Sequence, residues 1–458
     1  MTVASPPLRW RQVLGYGLGD AANNFSFALG LLFLLHYYTD IAGIPAAAAG
    51  TLLLAVRIYD AFMDLLAGRI IDRWRGHGRW GRLRPWLLFG GVPVLALNVA
   101  VFSVPAGLSV GQKIAYATLT YALLGTAYAF VSIAYGSLAG AMTQSPTARA
   151  RLGAARSWMS GATFFVLAIV VSRGVLGGDI DTMQARLTTL TLVLFVAGVL
   201  LYGSCFLTAR EAVPRRAEAL HWRDCVPVLR DNLPLQRLCL TTFATLASSG
   251  CASASGIFFA QYVLGNASLF PSMVIASSLA GLGVAVPLAP WVAARLGRAR
   301  AFQAGMLLAA AGHAALWWVP AGNVAAVLAC MATAAAGSSL GMALLWALEA
   351  DTVEYGEWRH GLRLEGLNYA LFSLTRKCGL AIGAALPAFL LAGSDYVPNL
   401  AEQGALARQV LRQAMSVLPA SGFGLAALLM LRYPLTDRHY LAALGDMRTR
   451  GATDSGGS

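Results

Sequence analysis

Apolar runs of roughly twenty residues, the length that crosses a bilayer, follow one another along almost the whole chain. They read as Tyr16–Tyr38, Ala46–Ile71, Pro85–Val104, Ile114–Met142, Leu152–Val175, Leu187–Thr208, Leu238–Leu264, Leu269–Leu296, Phe302–Val319, Val324–Ala350, Leu364–Leu391 and Val410–Arg432. Hydrocarbon offers the backbone no hydrogen-bond partners, so each run must satisfy its own amides as a helix. Only 12% of the 458 residues are charged, against about 25% in an average soluble protein. The expected fold is an all-α membrane protein of twelve transmembrane helices in two six-helix bundles. Residues 1–208 would form the N-terminal bundle, 209–236 a linker, 237–433 the C-terminal bundle and 434–458 a polar tail.

The net charge of +13 would suggest nucleic acid in a soluble protein, but its distribution fits membrane topology. Arginines crowd alternate loops, among them Arg69–Arg84 and Arg210–Arg230, while Thr39–Gly50, Gly265–Leu269 and Pro320–Asn323 hold none. The positive-inside rule then places both termini and the linker in the cytoplasm. The basic, glycine-containing loop after the second run has a shorter counterpart after the eighth, Arg295–Arg300, as parallel repeats would leave behind. The six cysteines and six histidines are too scattered for a disulfide framework or a metal centre.

Within the second run stand Asp60 and Asp64, with Arg57 on the same helical stripe. Two carboxylates one turn apart, about 6 Å between β-carbons, repel each other and need compensation. A sodium ion, a lithium ion or a proton would supply it, and a fixed Arg57–Asp60 salt bridge is the alternative. The first run carries Asp20, Asn23 and Asn24, donors and acceptors suited to a hydroxyl-rich ligand. The fourth has a mixed face of Gly125, Tyr128, Ser132, Tyr135 and Gly136, which could serve binding or packing alike. The eleventh holds Lys377 in mid-span, with Ser373 on its stripe and Asn368 two turns earlier. Such a lysine either pairs with acidic groups or hydrates a cavity. Gly337-Ser338-Ser339-Leu340-Gly341 matches a hydrolase nucleophile pattern, but among small residues it reads as close helix packing.

Several strings together are similar to the glycoside–pentoside–hexuronide:cation symporters, melibiose-permease-like members of the major facilitator superfamily. They are Tyr16-Gly17-Leu18-Gly19-Asp20, Tyr38-Thr39-Asp40, the Asp60 and Asp64 pair, Gly81-Arg82-Leu83-Arg84-Pro85-Trp86 and Tyr135-Gly136-Ser137-Leu138. Ala141-Met142-Thr143-Gln144, Asp351-Thr352-Val353-Glu354-Tyr355-Gly356-Glu357 and Tyr396-Val397-Pro398-Asn399 extend the match over nearly the whole chain. The resemblance implies a cation site at Asp60, Asp64 and Lys377, which would be a metal site if the ion is sodium. It also implies an arginine near the sugar at Arg156. The chain departs from the pattern at Leu65, often proline in the family, and at Asn24, Ser132 and Gly136. There the melibiose permease has its two sugar-gripping aspartates and its stacking tryptophan, so galactoside specificity is not implied.

The reading is a transporter, not an enzyme, working by alternating access as a cation-coupled symporter of a sugar, glycoside or uronide. A carrier of a lysolipid or other small amphiphile is the alternative. Substrate contacts are expected from Asp20, Asn23, Asn24, Tyr128, Ser132, Gly136, Arg156, Asn368 and Ser373. Gating salt bridges are expected from Asp72, Arg73, Arg79, Arg82, Arg84, Asp351, Glu354, Glu357 and Arg363. No cofactor beyond the coupling ion and no nucleic acid are expected, and the chain should be a monomer in a bacterial inner membrane.

Overall fold

The computed structural model describes residues 8–74, 80–143, 146–175, 179–211, 230–360, 365–400 and 402–435, together with Asp437, His439, Ala442 and Asp446. Among them there is no strand. Six helices come first: α1 Trp10–His36, α2 Ala46–Arg73, α3 Arg84–Val101, α4 Val110–Met142, α5 Pro146–Ile169 and α6 Ile180–Thr208. After the linker follow α7 Leu233–Phe258, α8 Phe270–Ser278, α9 Val286–Leu296, α10 Arg298–Leu316, α11 Val324–His360, α12 Glu365–Ala392, α13 Ala405–Met415 and α14 Val417–Leu431. A π-helical turn, Leu279–Ala285, joins α8 to α9, so that pair forms one continuous run.

Eleven helices among the described residues are long and apolar enough to cross a membrane. The expected ninth span is α10, whose nineteen residues start on Arg298 and Arg300 and continue in alanine and glycine. Small residues lower its apolarity but let it approach its neighbours closely. Prolines inside α3, α9 and α12 (Pro93, Pro290 and Pro387) are tolerated because neighbouring helices can satisfy the freed carbonyls.

The chain forms two compact units. The first contains α1–α6 together with Gly256–Val274 and Ala385–Arg408. Here α1 packs against α5 and α6, while α4 packs against α2 and α3. The second contains most of α7, the run from Ile275 to Ala384, and the chain from Gln409 onward. Its centre is α10, held between α11 and α14. A β-carbon on Gly337 would fall on the backbone of Ala309 and Gly305, so the declined nucleophile string is a helix contact.

Both units carry one device at a helix start. Gly81 has φ +77°, and the amides of Arg82, Leu83 and Arg84 donate to the Glu211 carboxylate at 3.1, 2.8 and 3.1 Å. Gly297 has φ +82°, and the amide of Arg298 donates to Asp437 at 3.0 Å. In each case a left-handed glycine frees the amides at a helix N-terminus, and a carboxylate from beyond the unit's last long helix meets them. Burial alone would lower Arg298, but the bond to Asp437 and the charge of Asp351 hold its guanidinium raised.

Gly337→Val should lower the thermal midpoint in detergent, an overpacking cost of about 1–3 kcal/mol. Gly322→Ala is the control, since a β-carbon at Gly322 meets nothing within 4 Å.

Candidate functional site

The first unit gathers the acidic residues of α1 and α2 onto α4 and α5. Asp20 is buried, and its Oδ1 accepts from Arg156 Nε at 2.9 Å while its Oδ2 accepts from Asn24 Nδ2 at 2.8 Å. Arg156 lies over the Tyr135 ring, 5.4 Å from its centroid. That ring is fixed from two directions: it stacks on Tyr16 at 4.6 Å, and its hydroxyl donates to the Tyr16 carbonyl at 2.7 Å. Asp20, Asn24 and Arg156 are thus brought together as one polar cluster.

On α2, Arg57 Nη1 stands 3.7 Å from Asp60 Oδ2, beyond hydrogen-bond length, so the link is a charge contact. The Arg57 guanidinium is roofed by Phe27 and Tyr121, at 6.0 and 5.7 Å. The Asp60 carboxylate occupies the space that a side chain at Gly125 would take, which explains the glycine on α4. Asp64 is half-buried one turn further along α2.

Other expected contacts are placed differently. Asn23 accepts from the Tyr202 hydroxyl at 2.9 Å and donates to the Gly19 carbonyl, which ties α1 to α6. Tyr128 stacks with Phe27 at 6.5 Å, Ser132 bonds back to the Ala129 carbonyl of its own helix, and Gly136 leaves open surface. In the second unit Asn368 donates to Thr352 at 3.5 Å, joining α12 to α11. Ser373 and Lys377 are half-buried on α12, and the neighbouring Arg376 lies 4.6 Å over Trp346.

Of the residues expected to gate, Arg84 donates through Nε to the Phe206 carbonyl at 2.9 Å, and Arg82 Nη1 reaches the Ile71 carbonyl at 3.5 Å. Asp351 pairs with Arg298 at 2.8 Å, and Arg298 also holds Asp437 at 2.9 Å. Glu354 and Glu357 are half-buried on α11. Arg79 and Arg363, and the side chains of Leu65, Asp72 and Arg73, lie outside the described residues.

Asp40 emerges as a hub that its sequence motif did not reveal. It is fully buried and accepts hydrogen bonds from the hydroxyls of Thr39, Tyr262 and Tyr396 and from the amide of Asn399, with His36 Nδ1 3.3 Å away. The Asn399 side chain donates to the Asp40 carbonyl, and Asn399 adopts the left-handed φ of +59°. Burial and then the Asp40 charge push the Tyr396 phenol well above its ordinary range. The Tyr-Thr-Asp and Tyr-Val-Pro-Asn strings of the sequence therefore meet in space. The one local signal was His36, four residues before an aspartate at the end of an apolar run.

Long apolar helices with charged residues inside them, and no strand among the described residues, mark an integral membrane protein of the helical class. The chain belongs to the MFS/sugar transport protein family, whose model matches residues 15–437, and within it to the glycoside–pentoside–hexuronide symporters. It is 44% identical over 433 residues to a glucuronide carrier protein homolog of Escherichia coli (strain K12), covering 94% of each chain. It is 30% identical over 451 residues to the isoprimeverose transporter of Lactiplantibacillus pentosus, covering 97% of this chain and 93% of that one. The fold resembles that of a solved bacterial homolog of the human lysosomal transporter Spinster, with TM-score 0.65 and 14% identity. That match spans 94% of this chain and 97% of the other.

Asp40→Ala should destabilise the protein by about 3 kcal/mol, since it orphans several buried donors at once. Tyr262→Phe, which removes one donor and leaves the carboxylate others, should cost only about 1 kcal/mol. Thermal midpoints in detergent read the difference.

Proposed function

We propose that the chain is a cation-coupled symporter that accumulates a sugar, glycoside or uronide by alternating access. The observation that carries this reading is the shared use of α4. Gly125, Tyr128, Ser132 and Tyr135 recur at three- and four-residue spacing on one stripe of that helix. Gly125 seats Asp60, and Tyr135 seats Arg156. Cation and substrate groups built on one rigid element can be coupled, because each ligand favours the same arrangement of it.

On α2 alone, Asp60 and Asp64 contribute −2 and Arg57 +1, which leaves −1, a charge that one sodium ion, lithium ion or proton would neutralise. The family resemblance adds Lys377 of α12 to this set, a +1 that would balance the acidic groups while the cation is absent. Relatives that bear the names of sugar carriers support the substrate class. A relative called an inner membrane symporter supports the location. The arginine-rich alternate loops support cytoplasmic termini.

In proteoliposomes, Asp60→Asn and Asp64→Asn should each abolish cation-driven accumulation of radiolabelled sugar. Gly125→Ala keeps every carboxylate but displaces that of Asp60, and should weaken cation affinity about tenfold, a cost of about 1.4 kcal/mol. Unchanged accumulation in both aspartate variants would overturn the assignment.

A further inference from the structure

The first and seventh spans end alike. Beyond their α-helical residues, α1 continues into a π-helical turn at Tyr37–Ile41 and α7 into one at Phe259–Val263. In the first turn the amides of Ala42 and Ile44 donate to the Tyr37 and Tyr38 carbonyls, both at 2.8 Å. In the second, the amides of Leu264 and Asn266 donate to the Phe259 and Ala260 carbonyls at 3.0 and 2.9 Å. Each cap contains one left-handed glycine, Gly43 or Gly265, with φ +72° in both. The two ends are therefore equivalent parts of the repeated halves.

They also meet, and at equivalent positions. Asp40 accepts from the Tyr262 hydroxyl, 222 residues further on. The His36 ring stands edge-on to Phe258 at 5.1 Å, which is the same offset. Residues related by a two-fold repeat contact each other only at its axis, so this pair of ends crosses on the axis between the halves. The Asp40 carboxylate takes further bonds from the Tyr396 hydroxyl and, at 3.3 Å, from the Asn399 amide. One half thus supplies the acceptor and the other supplies three donors, all within the first unit.

The chemistry suits a contact that opens. An apolar seal parted in water would expose its surface, whereas a carboxylate, two phenols and an amide exchange their bonds for water at small net cost. Thr39–Gly50, Gly265–Leu269 and 393–404 hold no arginine or lysine, so this is the outer face on the topology proposed above. A rocking motion that opens the interior outward must part these two ends, because they join the halves at that face. We propose that Asp40 is a latch, whose bonds to Tyr262, Tyr396 and Asn399 hold the outer face shut and release to admit substrate from that side. The inference rests on the alternating-access reading above and assigns it a closing contact.

Hydrogen–deuterium exchange of the purified full-length protein reads the latch directly, since the Asn399 amide is one of its bonds. Tyr262→Phe combined with Tyr396→Phe removes two hydroxyls and keeps the rings that pack on Phe258. Exchange at 396–400 should then rise by at least about tenfold, while α4 and α6 exchange as in the wild type. The single variant Tyr396→Phe serves if the pair does not fold. In proteoliposomes given radiolabelled methyl β-D-glucuronide or methyl β-D-glucoside outside, the half-saturating concentration should fall at least about threefold, because more of the protein stands open outward. A merely weakened fold would not lower it. Unchanged exchange at Asn399, an equal rise across α1–α6, or faster exchange with unchanged half-saturation would each overturn the latch. If the wild type accumulates neither sugar, the symport reading falls, and the exchange measurement, which needs no sugar, decides the latch alone.

Discussion

A carboxylate inside hydrocarbon must be met by donors or by positive charge, and the first unit meets three of them in three different ways. Asp40 is surrounded by the neighbouring Thr39 hydroxyl and His36 imidazole and by two hydroxyls and an amide from distant parts of the chain. Asp20 has one cation and one amide, each on its own oxygen. Asp60 has an arginine at 3.7 Å, close enough for attraction but too far for a hydrogen bond. The grading sorts the roles. A carboxylate saturated by fixed neutral donors holds structure, one that anchors a half-exposed guanidinium orients it, and the one on α2 is the carboxylate that the proposed function assigns to the cation.

The same economy of partners governs the helix ends. The Glu211 and Asp437 carboxylates do not pair with side chains alone; they collect backbone amides at the starts of α3 and α10. A helix N-terminus carries unsatisfied donors and partial positive charge. Capping it with a carboxylate that lies beyond α6 in one unit, and beyond α14 in the other, ties the first turn to the chain's exit from that unit. The two halves share this device although their loops differ in length and share little more than glycine and arginine. That sharing is what a duplicated ancestor under one physical constraint would keep.

The spans, the family and the acidic pair of α2 could be read from the sequence because each is local. Hydrophobic length fixes a helix, and a four-residue spacing fixes a shared face. What packs against that face is not local. Asn23 was readable as a polar residue of the first span, but not its bond to Tyr202, 179 residues away in the chain. The same holds for Asn368, which bonds Thr352 on the preceding helix. Asp40 was visible only as part of a motif, since its partners Tyr262 and Tyr396 lie 222 and 356 residues away. Gly125 was noted on a mixed face, yet its purpose is defined by a carboxylate from another helix.

That last case shows why α4 matters more than its residue types suggest. Its stripe has no acid or base of its own, only a glycine, two tyrosines and a serine. Two of those are seats, Gly125 for the Asp60 carboxylate and Tyr135 for the Arg156 guanidinium, and Tyr128 lies between them against Phe27, which also neighbours Arg57. Arg57 and Tyr128 thus contact a common ring, so a ligand that draws Asp60 from Arg57 changes what presses on the middle of the stripe. Packed side chains of this kind hold discrete arrangements rather than deform continuously. On the symport reading proposed above, coupling between a cation and a sugar would need no long-range pathway, only two charged clusters that share a helix and a middle that both must fit.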